Sequence, residues 1–105
     1  QNNDGGYSAE GISNCESTAQ VLMAISALNI NIEDSRFVKN GNTVLNGLLD
    51  YYSNGKFSHT KNGGYNHMAT EQGFCALTAY YRSLTIMNGF YDMADGISKS
   101  IQKSS

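Results

Sequence analysis

Hydrophobic positions cluster along this chain in helical rather than alternating rhythm. From Ser17 to Leu28 the apolar residues Val21, Leu22, Ala24, Ile25, Ala27 and Leu28 follow one another with almost no charge. Glu16 stands just before them, where a carboxylate suits the positive end of a helix. The pattern predicts a first helix buried on most sides. Polar residues from Asn29 to Asp34 break it, and Ser35 or Asn42 can cap the next stretch. There Val44, Leu45, Leu48, Leu49 and Tyr52 fall on one side and Asn46, Asp50 and Ser53 on the other, which predicts an amphipathic helix covering a core.

Residues 53 to 66 are rich in Asn, Gly, Ser, Lys and His, with isolated Phe57 and Tyr65, and read as a loop of about 14 residues. A helical pattern resumes from Met68 to Thr85, with Phe74, Leu77 and Tyr81 on one stripe and Gly73, Ala76, Tyr80 and Leu84 on the next. After Asn88-Gly89 a weaker segment, Tyr91 to Gln102, places Ala94, Ile97 and Ile101 together. No alternating strand pattern exceeds four residues, so the expected class is all-α.

An internal repeat runs through these helices. Thr18, Gln20, Ala24 and Ala27 recur as Thr70, Gln72, Ala76 and Ala79, all at an offset of 52. Gly5-Gly6-Tyr7-Ser8 precedes the first copy and Gly55-Lys56-Phe57-Ser58 the second, with a two-residue difference in spacing. The expected unit is a Gly-x-aromatic loop, a buried helix and an amphipathic helix, with repeat one at about 5–54 and repeat two at about 55–105. Two-helix repeats of this length need neighbours to bury their faces. The small residues Ala24, Ala27, Ala76 and Ala79 allow the equivalent helices to approach closely.

Composition narrows the function classes without naming one. The 105 residues suit a single domain, are 40% hydrophobic and only 15% charged, and carry a formal net charge of -2. Seven scattered basic residues on a net-negative chain argue against nucleic-acid binding. No apolar run approaches the roughly 20 residues that cross a bilayer. The N-terminal Gln-Asn-Asn-Asp-Gly-Gly carries no signal-peptide pattern, as expected of a mature or cut chain.

Glu16 to Leu28, Asp34 to Gly41, Met68 to Gln72, Ala76-Leu77 and Ala79 to Arg82 together resemble the squalene-cyclase and prenyltransferase-like repeat domain of bacterial secreted and cell-surface proteins. The resemblance spans about residues 5 to 95. It implies helical-hairpin repeats forming part of an α/α toroid, an extracellular or surface setting, and further repeats outside this chain. Tyr91-Asp92-Met93 would place the chain at the toroid's C-terminal portion.

The chemistries found on that fold are poorly represented. A terpene cyclase needs clustered carboxylates, and Asp92 and Asp95, the nearest approach, suit a solvated helix face. A prenyltransferase needs a zinc-bound thiolate. His59, His67, Cys15 and Cys75 are of the right types, but His67 and Glu71, four apart, form only a pair. Arg36 and Arg82 are the only arginines, so no diphosphate cluster is evident. A thioester protein would carry Gly-Cys-Gly-Glu-Gln where this chain has Met68-Ala69-Thr70-Glu71-Gln72, with Ala69 in place of the cysteine.

If the repeats stack as equivalents, Cys15 lies level with His67, about 12 Å along the axis from Cys75 at about 1.5 Å per residue. A disulfide needs Cα atoms within about 7 Å, so both cysteines are expected free, Cys75 buried and Cys15 in a loop. What remains is a non-enzymatic binding role for an unidentified protein or small ligand, with no cofactor and no metal. Gln20, Tyr65, His67, Glu71 and Gln72 would ring one end of the inner helices. The competing reading has the glutamines satisfying loop backbone and the tyrosines filling gaps. An isoprenoid enzyme fragment is the alternative function. The apolar helices at Ser17 to Leu28 and Met68 to Leu84 further imply a homo-oligomer.

Overall fold

A computed structural model describes the backbone of residues 1–104 and the side chains of residues 1–86. The elements run β1 (Ser8–Ala9), β2 (Ile12–Ser13), α1 (Cys15–Ala27), a 3-10 turn (Ser35–Phe37), α2 (Val44–Leu49), β3 (Tyr52–Ser53), β4 (Lys56–Phe57) and α3 (His67–Ser104). About half of the chain is helical, and two short antiparallel hairpins, β1–β2 and β3–β4, stand among the helices. The expected all-α class of helical-hairpin repeats in a partial α/α toroid is therefore wrong. The missed signal lies in the turns. Glu10-Gly11 and Asn54-Gly55 both hold successive positive φ values, the geometry that joins two strands through two residues and that Asn-Gly supplies readily. Strands of two residues leave too little alternation to read as a period, and so Tyr52 and Ser53, expected on the amphipathic helix, form β3 instead. That helix stops at Leu49 and is capped by Thr43 rather than by Ser35 or Asn42.

The 52-residue repeat is nevertheless built into the fold. Asn14 caps α1 by accepting from the Ser17 amide at 2.9 Å, and Asn66 accepts from the Ala69 amide at 2.9 Å at the start of α3. Thr18 then accepts from the Tyr7 amide at 3.0 Å, and Thr70 from the Phe57 amide at 3.0 Å. Each aromatic's carbonyl also receives the amide of its capping asparagine, Tyr7 from Asn14 and Phe57 from Asn66. Between aromatic and cap the first copy has β1–β2, with Ser8 opposite Ser13. The second has a longer loop closed by a bridge between Ser58 and Tyr65. The two-residue difference in spacing is the extra length of that loop.

The copies part company where their helices end. Asn29 takes a left-handed φ of 54° at the end of α1, and the Asn29 and Ile30 amides return to the Ser26 and Ile25 carbonyls. The position 52 residues on is Tyr81, a bulky residue that resists that conformation, so α3 runs on through its 38 residues. A separate helix after Asn88-Gly89 does not form. A helical glycine costs only about 1 kcal/mol, too little to interrupt a helix already propagating. The face expected of Ala94, Ile97 and Ile101, and the roles expected of Asp92 and Asp95, lie outside the described side chains.

α1 and α3 pack side by side and run parallel. Cys15 Sγ lies 3.8 Å from the Ala69 carbonyl at one end, while Ser26 and Ser83 line a shared cavity at the other. Cys15, Ala19, Leu22, Ala69 and Ala76 are fully buried here, and α2 adds Val44 and Leu48 to the same core. α1 is less enclosed than expected, since Gln20, Ala24, Ala27 and Leu28 are exposed. Phe57 is the largest fully buried side chain among the described residues. Its ring lies over Gly73, where an added Cβ would come within 2.6 Å, and meets Tyr52 and Phe74 edge-on with centroids 5.4 Å away. Gly47 serves α2 likewise, because a Cβ there would stand 2.4 Å from the Gly6 amide nitrogen.

Thr70→Val keeps the shape at the start of α3 but leaves the Phe57 amide without its acceptor. A loss of about 2 kcal/mol is expected, with a smaller or equal loss for Thr18→Val, read as a fall in midpoint in chemical denaturation. A Thr70→Val protein as stable as wild type would show that the hydroxyl does not hold the hairpin to the helix.

Candidate functional site

The two repeat units meet at their loop ends, where the starts of α1 and α3 lie together. The Cys15 amide donates to the His59 carbonyl at 2.9 Å, tying the second loop to the first helix. His59 Nδ1 lies 2.5 Å from Glu16 Oε2 in the first turn of α1. Lys61 reaches across to Asp4, whose other carboxylate oxygen accepts from the Gly6 amide at 2.8 Å, and also approaches Asp50 at 3.7 Å. The Lys61 ammonium holds the Asp4 carboxyl below its ordinary value, and Asp4 in turn raises Lys61.

Three of the five expected site residues come together at this end. Tyr65 Oη lies 3.2 Å from His67 Nδ1, and His67 Nε2 lies 3.5 Å from Glu71 Oε1 one helical turn on. The Lys56 ammonium stands over the Tyr65 ring, 5.0 Å from its centroid. A cavity of about 420 Å³ opens beside Tyr65, with Asp50, Tyr52, Lys56 and Lys61 in its wall. The other two residues do not join. Gln20 is exposed on the side of α1, and the Gln72 side-chain oxygen is buried without a hydrogen-bond partner. The phenol–imidazole–carboxylate row has the order of a proton relay, but the His67 and Glu71 side chains are 76% and 67% exposed. Such a pair contributes little binding energy in water, and the site lacks the closed pocket in which acid–base catalysis gains from excluding solvent. Among the described residues no three His, Cys, Asp or Glu side chains gather to hold a metal.

The cysteines are both free, as their spacing predicted, but their burial is reversed. Cys15 is the first residue of α1 and fully buried, whereas Cys75 is exposed. The reason is which faces of the helices meet. α1 turns Cys15, Ala19 and Leu22 inward, while α3 turns Ala69, Gly73 and Ala76 inward and leaves Cys75 outside. Burial pushes the Cys15 thiol up to about 12, with the neighbouring Glu16 carboxylate adding to it.

Two apolar surfaces flank the packed helices, whose apolar character implies self-association, and Gln20 lines the one on α1. On α3, Phe74, Leu77, Thr78, Tyr81, Arg82 and Ile86 surround a cavity of about 630 Å³, with Tyr81 69% and Ile86 63% exposed. On α1, a cavity of about 380 Å³ lies among Tyr7, Val21, Ala24, Leu28, Ile30 and Phe37, with Leu28 71% exposed. The signal was in the sequence as the Phe74, Leu77 and Tyr81 stripe, but a stripe alone does not reveal which side finds a partner.

Against protein-family models, curated protein sequences and solved structures the chain matches none. The resemblance to squalene-cyclase-like repeats thus gains no support from relatives. No helix among the described residues is long and apolar enough to cross a membrane.

Thiol titration of the native protein with an aromatic disulfide reagent is expected to release one equivalent promptly, from Cys75, and the second only on unfolding. Prompt release of two would place Cys15 outside the core. A second expectation follows from Asp4. Its folded-state pKa lies below the unfolded one, so its contribution is present above the ordinary carboxylate value of about 3.9 and is lost as pH falls through the folded value. Denaturation midpoints should therefore fall over that acid range in wild type and fall less in Asp4→Asn. Equal acid limbs would remove the Asp4–Lys61 pair from the stability of this end.

Proposed function

We propose that this chain is a non-enzymatic interaction module that binds a protein partner through the apolar face of α3. The observation that carries the reading is the stripe of Phe74, Leu77 and Tyr81, which lines one cavity with Ile86 at its edge beside Arg82; Phe74, Tyr81 and Ile86 are exposed. Soluble domains seldom leave such contiguous apolar area uncovered unless something docks there. The chemistry suits a protein surface. Aromatic side chains with an arginine, here Tyr81 and Arg82, are the residue types that anchor protein interfaces.

The polar loop end contributes differently. Tyr65, His67 and Glu71 are hydrated and bind weakly on their own, so they set orientation at the edge of a contact rather than its strength. No observation favours the isoprenoid-enzyme alternative, for which the thiol, imidazole and carboxylate groups would have to converge. The extracellular or surface setting is implied by the resemblance alone.

An apolar face that is preformed should bind a hydrophobic fluorescent probe in the native state. With dilute protein, bis-ANS emission is expected to rise several-fold, and the double variant Tyr81→Asp, Ile86→Asp should lose most of that rise while far-ultraviolet circular dichroism is unchanged. Native protein that leaves the probe dark, or a double variant that binds it as well as wild type, would overturn the reading.

A further inference from the structure

The internal repeat identifies what the free faces are complementary to. Inside the chain, α1 offers Cys15, Ala19, Leu22 and Ser26 and α3 offers Ala69, Gly73, Ala76 and Ser83, all buried, along the side where the two helices pack. The contact is heterologous, because the helices use different faces. Adding 52 to the α1 set gives His67, Glu71, Phe74 and Thr78, on the side of α3 turned away from α1. Phe74 and Thr78 of this set line the larger apolar cavity, and Tyr81, the counterpart of Asn29, continues it. Subtracting 52 from Ala69, Gly73 and Ala76 gives Ser17, Val21 and Ala24, and all three line the cavity on the outer side of α1.

Each unit thus has two opposite faces, one of each kind. The chain satisfies one pair internally and leaves one of each kind open, on opposite sides of the molecule. We infer that the α3 face of one copy docks on the outer α1 face of a second copy, repeating the internal α1–α3 contact head to tail. The inference rests on the interaction-module reading and names its partner as this same chain.

Ala24 takes the place of Ala76 and keeps that point of the outer seam small, while Phe74 in place of Leu22 and Thr78 in place of Ser26 present more bulk from α3. Val21 stands at the position of Gly73 and fills the outer α1 face beside Tyr7, the counterpart of Phe57. The polar exchange of Cys15 and Ala19 for His67 and Glu71 leaves the loop end of the outer seam wettable, as suits a contact that opens and closes while the inner one stays shut. Such a contact uses unlike faces, so it does not saturate at two chains unless the rotation closes a ring.

Sedimentation velocity on the full chain, with far-ultraviolet circular dichroism as a folding control, tests it. Wild type is expected to grow in mass with concentration from micromolar to hundreds of micromolar. Ala24→Glu blocks the α1 face and Tyr81→Glu the α3 face, and each alone should sediment as a monomer. Mixed, they should form a complex of two chains and no larger, because each variant keeps the face the other lacks. Three outcomes overturn the inference: a monomeric wild type throughout the range, assembly that survives Ala24→Glu, or a mixture that stays monomeric. A monomeric wild type that still binds bis-ANS at α3 would overturn only the choice of partner and leave the interaction-module reading standing.

Discussion

A threonine hydroxyl in the first turn of each long helix is the interaction on which the rest of the molecule depends. Thr18 accepts the Tyr7 amide and Thr70 the Phe57 amide, while Asn14 and Asn66 close the helix ends beside them. These bonds satisfy backbone groups that two-residue strands cannot, and an isolated hairpin of that size has no stability of its own. They also set where the aromatic enters. Phe57 is delivered over Gly73, into the only kind of space a residue without a side chain leaves against a helix backbone. The hairpins, the caps and the core thus form one cooperative unit rather than loops appended to helices.

The unit occurs twice, and the differences between copies explain the shape of the molecule. In the first, Asn29 adopts a left-handed conformation, the helix ends, and the chain returns through α2 to cover α1. In the second, Tyr81 replaces that stop and α3 continues. One tolerant asparagine in place of an intolerant tyrosine separates a closed layer from an extended helix. Along that extended helix Phe74, Tyr81 and Ile86 are exposed.

The division of labour between ends and sides follows from solvation. At the loop end, charged and hydrogen-bonding groups such as Glu16, His59, His67 and Glu71 are already paired with each other and with water, so they offer direction more than affinity. Along the helix sides apolar surface remains in water, and its removal is where binding free energy is available. A partner that buries the sides and reads the ends would use both.

The sequence by itself determined the position of α1, the start of α2, the recurrence of Thr18, Gln20, Ala24 and Ala27 at an offset of 52, the separation of Cys15 from Cys75 and the lack of a long apolar span. Each is a matter of local spacing or chain arithmetic, which survives without knowledge of neighbours. It contained the hairpins only as Glu10-Gly11 and Asn54-Gly55, because a strand of two residues has no period to detect. Tertiary structure decided the rest. Whether α3 stopped at Asn88-Gly89 depended on helix cooperativity, and which cysteine was buried depended on which helix faces met. Tyr65, His67 and Glu71 were legible as neighbours because a turn and a helical pitch bring them together locally. Gln20 and Gln72 were not separable from them, since their surroundings come from residues far along the chain. The apolar stripe on α3 could be read from its spacing, but only the packing of α1 against the opposite side left it facing water.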